Sequence, residues 1–226
     1  MRFQDAARDG RAIVYAAIQA DPLVARCAEL LSQASLGERI LARAVMNGES
    51  PDPDRWRRTF PSLFGPESSA DPARAEAILA ASLAVADRGD QVRNQVRGAI
   101  VEELTARLLA RRVGPAAVRR ERRILFDGVP AEIHPYDVTV ETAGAAEAFD
   151  CKWGARGINA DVLHQLDDAR SHARDEDELL AVALVLFDAE RSCRVRLDAQ
   201  TAPHEATRLV AFEQLDQLAT RGPGGR

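Results

Sequence analysis

Between residues 3 and 47 apolar side chains recur at spacings of three and four, in Ala12-Ile13-Val14, Ala17-Ile18, Leu23-Val24, Leu30-Leu31, Ile40-Leu41 and Val45-Met46. That period predicts two or three helices, with Asp21-Pro22 and Ser35 as helix starts. From Gly48 to Pro72 the pattern lapses. Pro51, Pro53, Pro61, Pro66 and Pro72, with Gly48 and Gly65, predict irregular chain and a boundary. Asp71-Pro72 reads as an N-cap followed by proline at the first helical position, opening an alanine-rich helix to about Asp87. Gly89-Asp90 ends that helix and caps the next, from about Gln91 to Arg112. Val96, Ile100, Val101, Leu104, Leu108 and Leu109 give it an apolar side.

Beyond Arg112 the period changes to two. Val118–Phe126, Ala131–Val140 and Glu147–Trp153 are β-branched or alternating, with turn residues at Asp127-Gly128 and near Ala143-Gly144. After Gly154 and Gly157 a helix is expected from about Ala160 to Ala173, buried along Val162, Leu166, Ala169 and Ala173. Leu179–Phe187 predicts a central strand buried on both faces. Ser192–Leu197 alternates as an edge strand would, Pro203–Ala219 predicts a last helix, and Arg221 to Arg226 a flexible tail. The fold class is therefore α/β: helix, three-stranded meander, helix, strand, strand, preceded by helices. The expected division is a helical region with linker at 1–70, an α/β domain at 71–220 and a tail at 221–226.

Composition narrows the setting. With 46% hydrophobic and 29% charged residues, the 226-residue chain has the makeup of an ordinary soluble protein. No apolar run approaches the roughly 20 residues of a membrane span, and the first residues lack the apolar core of a signal peptide. Cys27, Cys151 and Cys193 are odd in number and far apart, which points to reduced thiols in a cytoplasm. A net charge of −5 excludes a uniformly basic surface but leaves room for a local arginine stripe.

Two of the β-prone runs carry the chemistry. Strand side chains alternate, so Asp150 and Lys152 project to one side while Phe149, Cys151 and Trp153 project to the other. Asp137 lies 13 residues upstream of Asp150, which fits a hairpin that sets the two carboxylates side by side. Of the 30 Lys and Arg in the chain, 29 are arginine and Lys152 is the single lysine. Ammonium is a compact charge whose pKa falls near a metal or on burial, unlike guanidinium, so it suits orienting or deprotonating water.

Asp137 followed by Asp150-Cys151-Lys152 resembles the motif of the PD-(D/E)xK nucleases, the restriction-endonuclease-like superfamily. Pro135 is separated from Asp137 by Tyr136, and Asp150 stands where many relatives have Glu. The resemblance covers roughly residues 91 to 197. It implies a restriction-endonuclease-like core within 71–220 and a Mg²⁺ or Mn²⁺ site held by Asp137, Asp150, the Cys151 carbonyl and Glu102. Glu102 is drawn in by a Gly-x-x-apolar-Glu pattern, Gly98-Ala99-Ile100-Val101-Glu102, while Glu103 points toward Arg107. Lys152 would be catalytic, and Gln165, flanking the buried side of its helix, would reach the site or serve as a core-edge amide. The implied activity is that of a magnesium-dependent DNA endonuclease in bacterial restriction, defence against phage, or repair. No sequence feature separates DNA from RNA. No Gly-Lys-Ser/Thr phosphate loop is present, so an ATP-driven step would need a helicase or ATPase partner. Assembly as a homodimer also fits the resemblance.

Arg111, Arg112, Arg119, Arg120, Arg122 and Arg123 place six arginines in 13 positions, which fits phosphate contacts or a solvated cluster at a helix end. Arg55-Trp56-Arg57-Arg58 fits a nucleic-acid grip or a tryptophan anchoring a loop. His164 and His172 stand ~12 Å apart along a helix at 1.5 Å per residue, too far to share an ion, so with Asp168 they read as a solvated face. His134 reads as a strand-turn histidine. The competing class is a non-catalytic nucleic-acid-binding or assembly subunit retaining the fold. A hydrolase of another phosphate ester is a third class, against which the arginine stripe argues.

Overall fold

The period-two segments come together as one mixed sheet. The computed structural model describes every residue except 7–9, 67, 69, 128, 131–133, 144, 203–206 and 222–226, and the side chains of 11, 129 and 130. Its strands are β1 (Arg2–Asp5), β2 (Val118–Phe126), β3 (Val129–Pro130), β4 (Tyr136–Thr142), β5 (Ala145–Lys152), β6 (Leu180–Leu186) and β7 (Arg208–Val210). Its helices are α1 (Gly10–Gln19), α2 (Pro22–Leu31), α3 (Leu36–Asn47), α4 (Pro53–Thr59), α5 (Pro61–Phe64), α6 (Pro72–Ala86), α7 (Asp90–Val113), α8 (Ala160–Asp175) and α9 (Glu190–Asp198). The chain is thus α/β. The sheet order is β1-β2-β4-β5-β6-β7, with β3 paired to β2. β2, β4 and β5 form an antiparallel meander, whereas β6 joins β5 in parallel and β7 joins β6 in parallel. A parallel step needs a crossover, and α8 supplies it between β5 and β6.

The chain separates into two compact units, Gly10–Leu104 and Met1–Asp9 with Thr105–Arg226. The division falls within α7 instead of at residue 70. In the helical unit the local start signals act as read. Asp21 accepts from the Leu23 N–H at 2.8 Å, and Asp71 from the Ala73 N–H at 3.0 Å. Ser35 and Glu38 form a capping box at the start of α3. Cys27, Leu31, Leu41, Val45, Ile78 and Leu79 are buried between α2, α3 and α6. The proline-rich stretch differs from expectation. Pro53 and Pro61 begin short helices, where the missing N–H has no intrahelical role.

Three expectations for the sheet unit are corrected. Residues 3–5 are not helical; with Arg2 they form β1, paired with β2 from Arg2↔Leu125 to Asp5↔Arg122. Ser192–Leu197 is not an edge strand but part of α9. Cys193 and Leu197 are buried while Val195, two residues from each, is 65% exposed. A spacing of four is one helical turn, so the pair that looked like alternation is a helix face. The last expected helix is instead β7 followed by a 3-10 helix over Phe212–Ala219. Residues 203–206 of that expected helix lie outside the described residues. So do Gly128 and Gly144 of the expected turns, 131–133 of the expected second strand, and the tail beyond Arg221. Among the described residues no helix is long and apolar enough to cross a membrane.

Candidate active site

β5 sorts its side chains as a strand must. Ala148 joins the cluster formed with Leu163, Leu166 and Ala169 of α8. Glu147 and Cys151 meet α7 instead: Arg112 pairs with Glu147 at 2.6 Å, and the Cys151 thiol donates to Thr105 Oγ1 at 3.5 Å. Asp150 and Lys152, in step with Ala148, therefore emerge on the α8 side at the C-terminal end of β5. In open α/β sheets that end is where ligand crevices form. Trp153 stacks on Phe187 with centroids 4.9 Å apart.

The meander brings Asp137 to the same place. Val138 pairs with Phe149, so one step further along the ladder Asp137 meets Asp150 and Cys151. There the Asp137 Oδ2 accepts the Cys151 N–H at 2.6 Å, and a side chain takes over from the backbone ladder. On the other flank, Arg120↔Val138 and Arg122↔Tyr136 bracket Glu121, whose φ is +51°. A non-glycine residue in this region costs about 1 kcal/mol or more, and it sits beside Asp137.

Lys152 Nζ lies 2.6 Å from Asp150 Oδ1, with Asp150 only 8% exposed at its side chain. Burial works to lower the Lys152 pKa. The charges of Asp137 and Asp150 and the Asp150 hydrogen bond more than reverse this and hold the ammonium above its ordinary range. A charged ammonium held there is suited to orienting water and stabilising developing charge.

A cavity of about 220 Å³ opens beside the pair, lined by His134, Asp150, Lys152, Asn159, Asp161 and Gln165 among others. Gln165 lines it, but its amide also accepts from the His134 N–H at 3.3 Å and donates to the His134 carbonyl at 3.1 Å. It therefore holds the chain leading into β4. Asn159 caps α8 by accepting the Val162 N–H at 3.0 Å. Asn159 and Asp161 join the site beyond the expected residues; an Asn just before a predicted helix is the readable signal for the first. Asp188, which accepts the Ala155 N–H at 3.0 Å and so fixes the loop after Lys152, left no such mark in the sequence.

Glu102 lies in the helical unit, where the Tyr15 hydroxyl donates to Oε1 and the Gln19 amide to Oε2 at 2.8 Å. Gly98, the glycine of the Gly-x-x-apolar-Glu pattern, makes room for Tyr15: a Cβ there would stand 3.2 Å from its hydroxyl. The arginines divide as well. Arg112 is held by Glu147 and the Arg221 carbonyl, and Arg122 by Glu141 at 2.8 Å and by Asp5, so both are tied inside the fold. Arg111 and Arg119 are exposed, while Arg120 and Arg123 are half-buried. In the helical unit Trp56 donates to the Ser50 carbonyl at 2.9 Å, and Arg57 pairs with Asp54 and Glu76, which is the loop-anchor arrangement. His172 stacks on Phe126 with centroids 5.4 Å apart.

Among the described residues no three His, Cys, Asp or Glu side chains gather as a metal-ligating group. The donor set at the strand end is two carboxylates on neighbouring strands, Asp137 and Asp150, of which Asp150 lines the cavity. Zinc takes three or four protein ligands, whereas magnesium is held by one or two carboxylates and completes its shell with water and phosphate. The pair fits the second kind of ion. Comparison with protein-family models, curated proteins and solved structures gives no match for the chain.

Proposed function

We propose that the chain is a magnesium- or manganese-dependent phosphodiesterase acting on nucleic acid, of the PD-(D/E)xK nuclease kind, with DNA as its substrate. The observation that carries the reading is the meeting of Asp137, Asp150 and Lys152 at one strand end beside a cavity. The order α7, meander, α8, parallel β6 supports it, because it is the order the resemblance implies.

Asp137 and Asp150 would hold the ion, with the Cys151 carbonyl as the backbone ligand. The ion would supply charge neutralisation at the phosphate and acidify water. Asp137 is oriented by the Cys151 N–H, and Asp150 by Lys152, so neither carboxylate has to be ordered when substrate arrives. Lys152 would turn its ammonium to the attacking water and to the charge that builds on the phosphorus oxygens. Gln165 would keep the His134 segment in place at the cavity wall.

The test is incubation of the purified protein with plasmid DNA and with RNA, in Mg²⁺ or Mn²⁺, with and without chelator. Chelator-sensitive cleavage is the expected result. Binding of DNA without cleavage under all metal conditions would instead establish a non-catalytic binding subunit. The divided arginines give a second prediction. Arg111→Ala and Arg119→Ala are each expected to weaken DNA binding uniformly across sequences and to reduce the salt slope by about 1. Arg112→Ala and Arg122→Ala are expected to lower thermal stability before they alter that slope.

A further inference from the structure

The loop that follows Lys152 lies against its side chain. A Cβ built at Gly157 would stand 2.6 Å from Lys152 Cβ, 2.7 Å from Cγ and 3.1 Å from Cδ, separations that packed carbons do not adopt. Nothing nearby is free to yield. Asp188 accepts the Ala155 N–H at 3.0 Å, Gly157 donates to the Gly154 carbonyl at 2.8 Å, and Ile158 donates to the Ala155 carbonyl at 3.0 Å while fully buried. On the other side the Lys152 carbonyl accepts from Phe187 N–H at 3.0 Å, so the lysine backbone is anchored too. We propose that Gly157 is a positioning residue for Lys152: its bare Cα forms the wall along which the lysine stem runs, and it thereby sets the ammonium on Asp150.

The catalytic consequence rests on the phosphodiesterase reading; the placement itself does not, and the two are tested separately. Lys152 is the single lysine, so ¹³C-lysine labelling gives one set of side-chain signals. In the wild type these signals are expected to be displaced from those of a freely rotating lysine, and Gly157→Ala is expected to return them toward the free position. With plasmid DNA and Mg²⁺ the same variant should lose about 10²-fold in cleavage, the effect of a misplaced group.

Stability supplies the second arm. Gly157→Ala should lower Tm by about 4 °C in the wild type, as overpacking does. In a Lys152→Gly background, where Cβ, Cγ and Cδ are all gone, it should cost nothing. Should Gly157→Ala fail to fold while the double variant folds, the coupling is established all the same. Unmoved lysine signals overturn the proposal, as do equal Tm losses in both backgrounds or a double variant that does not fold. Moved signals with unchanged cleavage overturn the catalytic part alone.

Discussion

Lys152→Ala is expected to lower metal-dependent DNA cleavage by about 10³-fold, the scale of losing one preorganised charge at a developing oxyanion. Asp150→Ala is expected to bring cleavage below detection, because it removes both a ligand and the group that holds the lysine. Both variants should keep the wild-type circular dichroism spectrum. Asp150 and Lys152 sit at the C-terminal end of β5 with a cavity beside them, while the apolar residues behind them carry the packing. Lys152→Arg separates charge from geometry. Guanidinium is longer and planar and cannot follow the path that Gly157 leaves, so this variant should stay as inactive as the alanine. Restored cleavage in Lys152→Arg would mean that any cation suffices. Normal cleavage by Lys152→Ala or Asp150→Ala would remove the assignment of the site.

The second large effect is on stability. Glu38 is fully buried. It accepts from the Ser35 N–H at 2.7 Å, the Ser35 hydroxyl at 2.8 Å, and Arg74 at 3.0 and 3.2 Å. One carboxylate thus closes the N-terminus of α3 and ties it to α6. Glu38→Ala leaves Arg74 without its partner and opens the capping box, at a cost of about 3 kcal/mol. Burial alone would raise the Glu38 pKa; the hydrogen bonds from Arg74 and Ser35 outweigh it and hold the carboxyl below its usual range. The folded pKa is depressed, so the contribution is complete above the unfolded value of about 4.3 and is lost as pH falls through the folded value. Thermal melts should therefore show a wide gap between wild type and Glu38→Ala at pH 7 that narrows below pH ~4. A gap of equal size at acid pH would show that the carboxylate's charge contributes nothing.

Local rules carried far along this chain. The N-caps at Asp21, Ser35 and Asp71 act as read, because a cap involves residues two or three positions apart. β2 spans Val118–Phe126, the bounds expected for the strand that opens the meander. Asp150 and Lys152 share a side because a period of two is a property of any strand. What the sequence by itself determined is therefore the capped starts of those helices, the extent of β2 and the placing of acid and lysine on one side of β5. The tertiary structure alone decided the rest. Arg2–Asp5 becomes a strand only because β2, more than a hundred residues later, offers an unpaired edge. Cys193 and Leu197 satisfy both a period of two and a helical turn, and burial of that pair with Val195 left outside settles it as helix. Arg112 and Arg122 read as free cations until the fold brings Glu147, Glu141 and Asp5 to them. Gly157 reads as a turn residue until the Lys152 stem is laid against it. In each case the deciding partner is distant in sequence or silent in pattern, and only chain packing sets the distance between them.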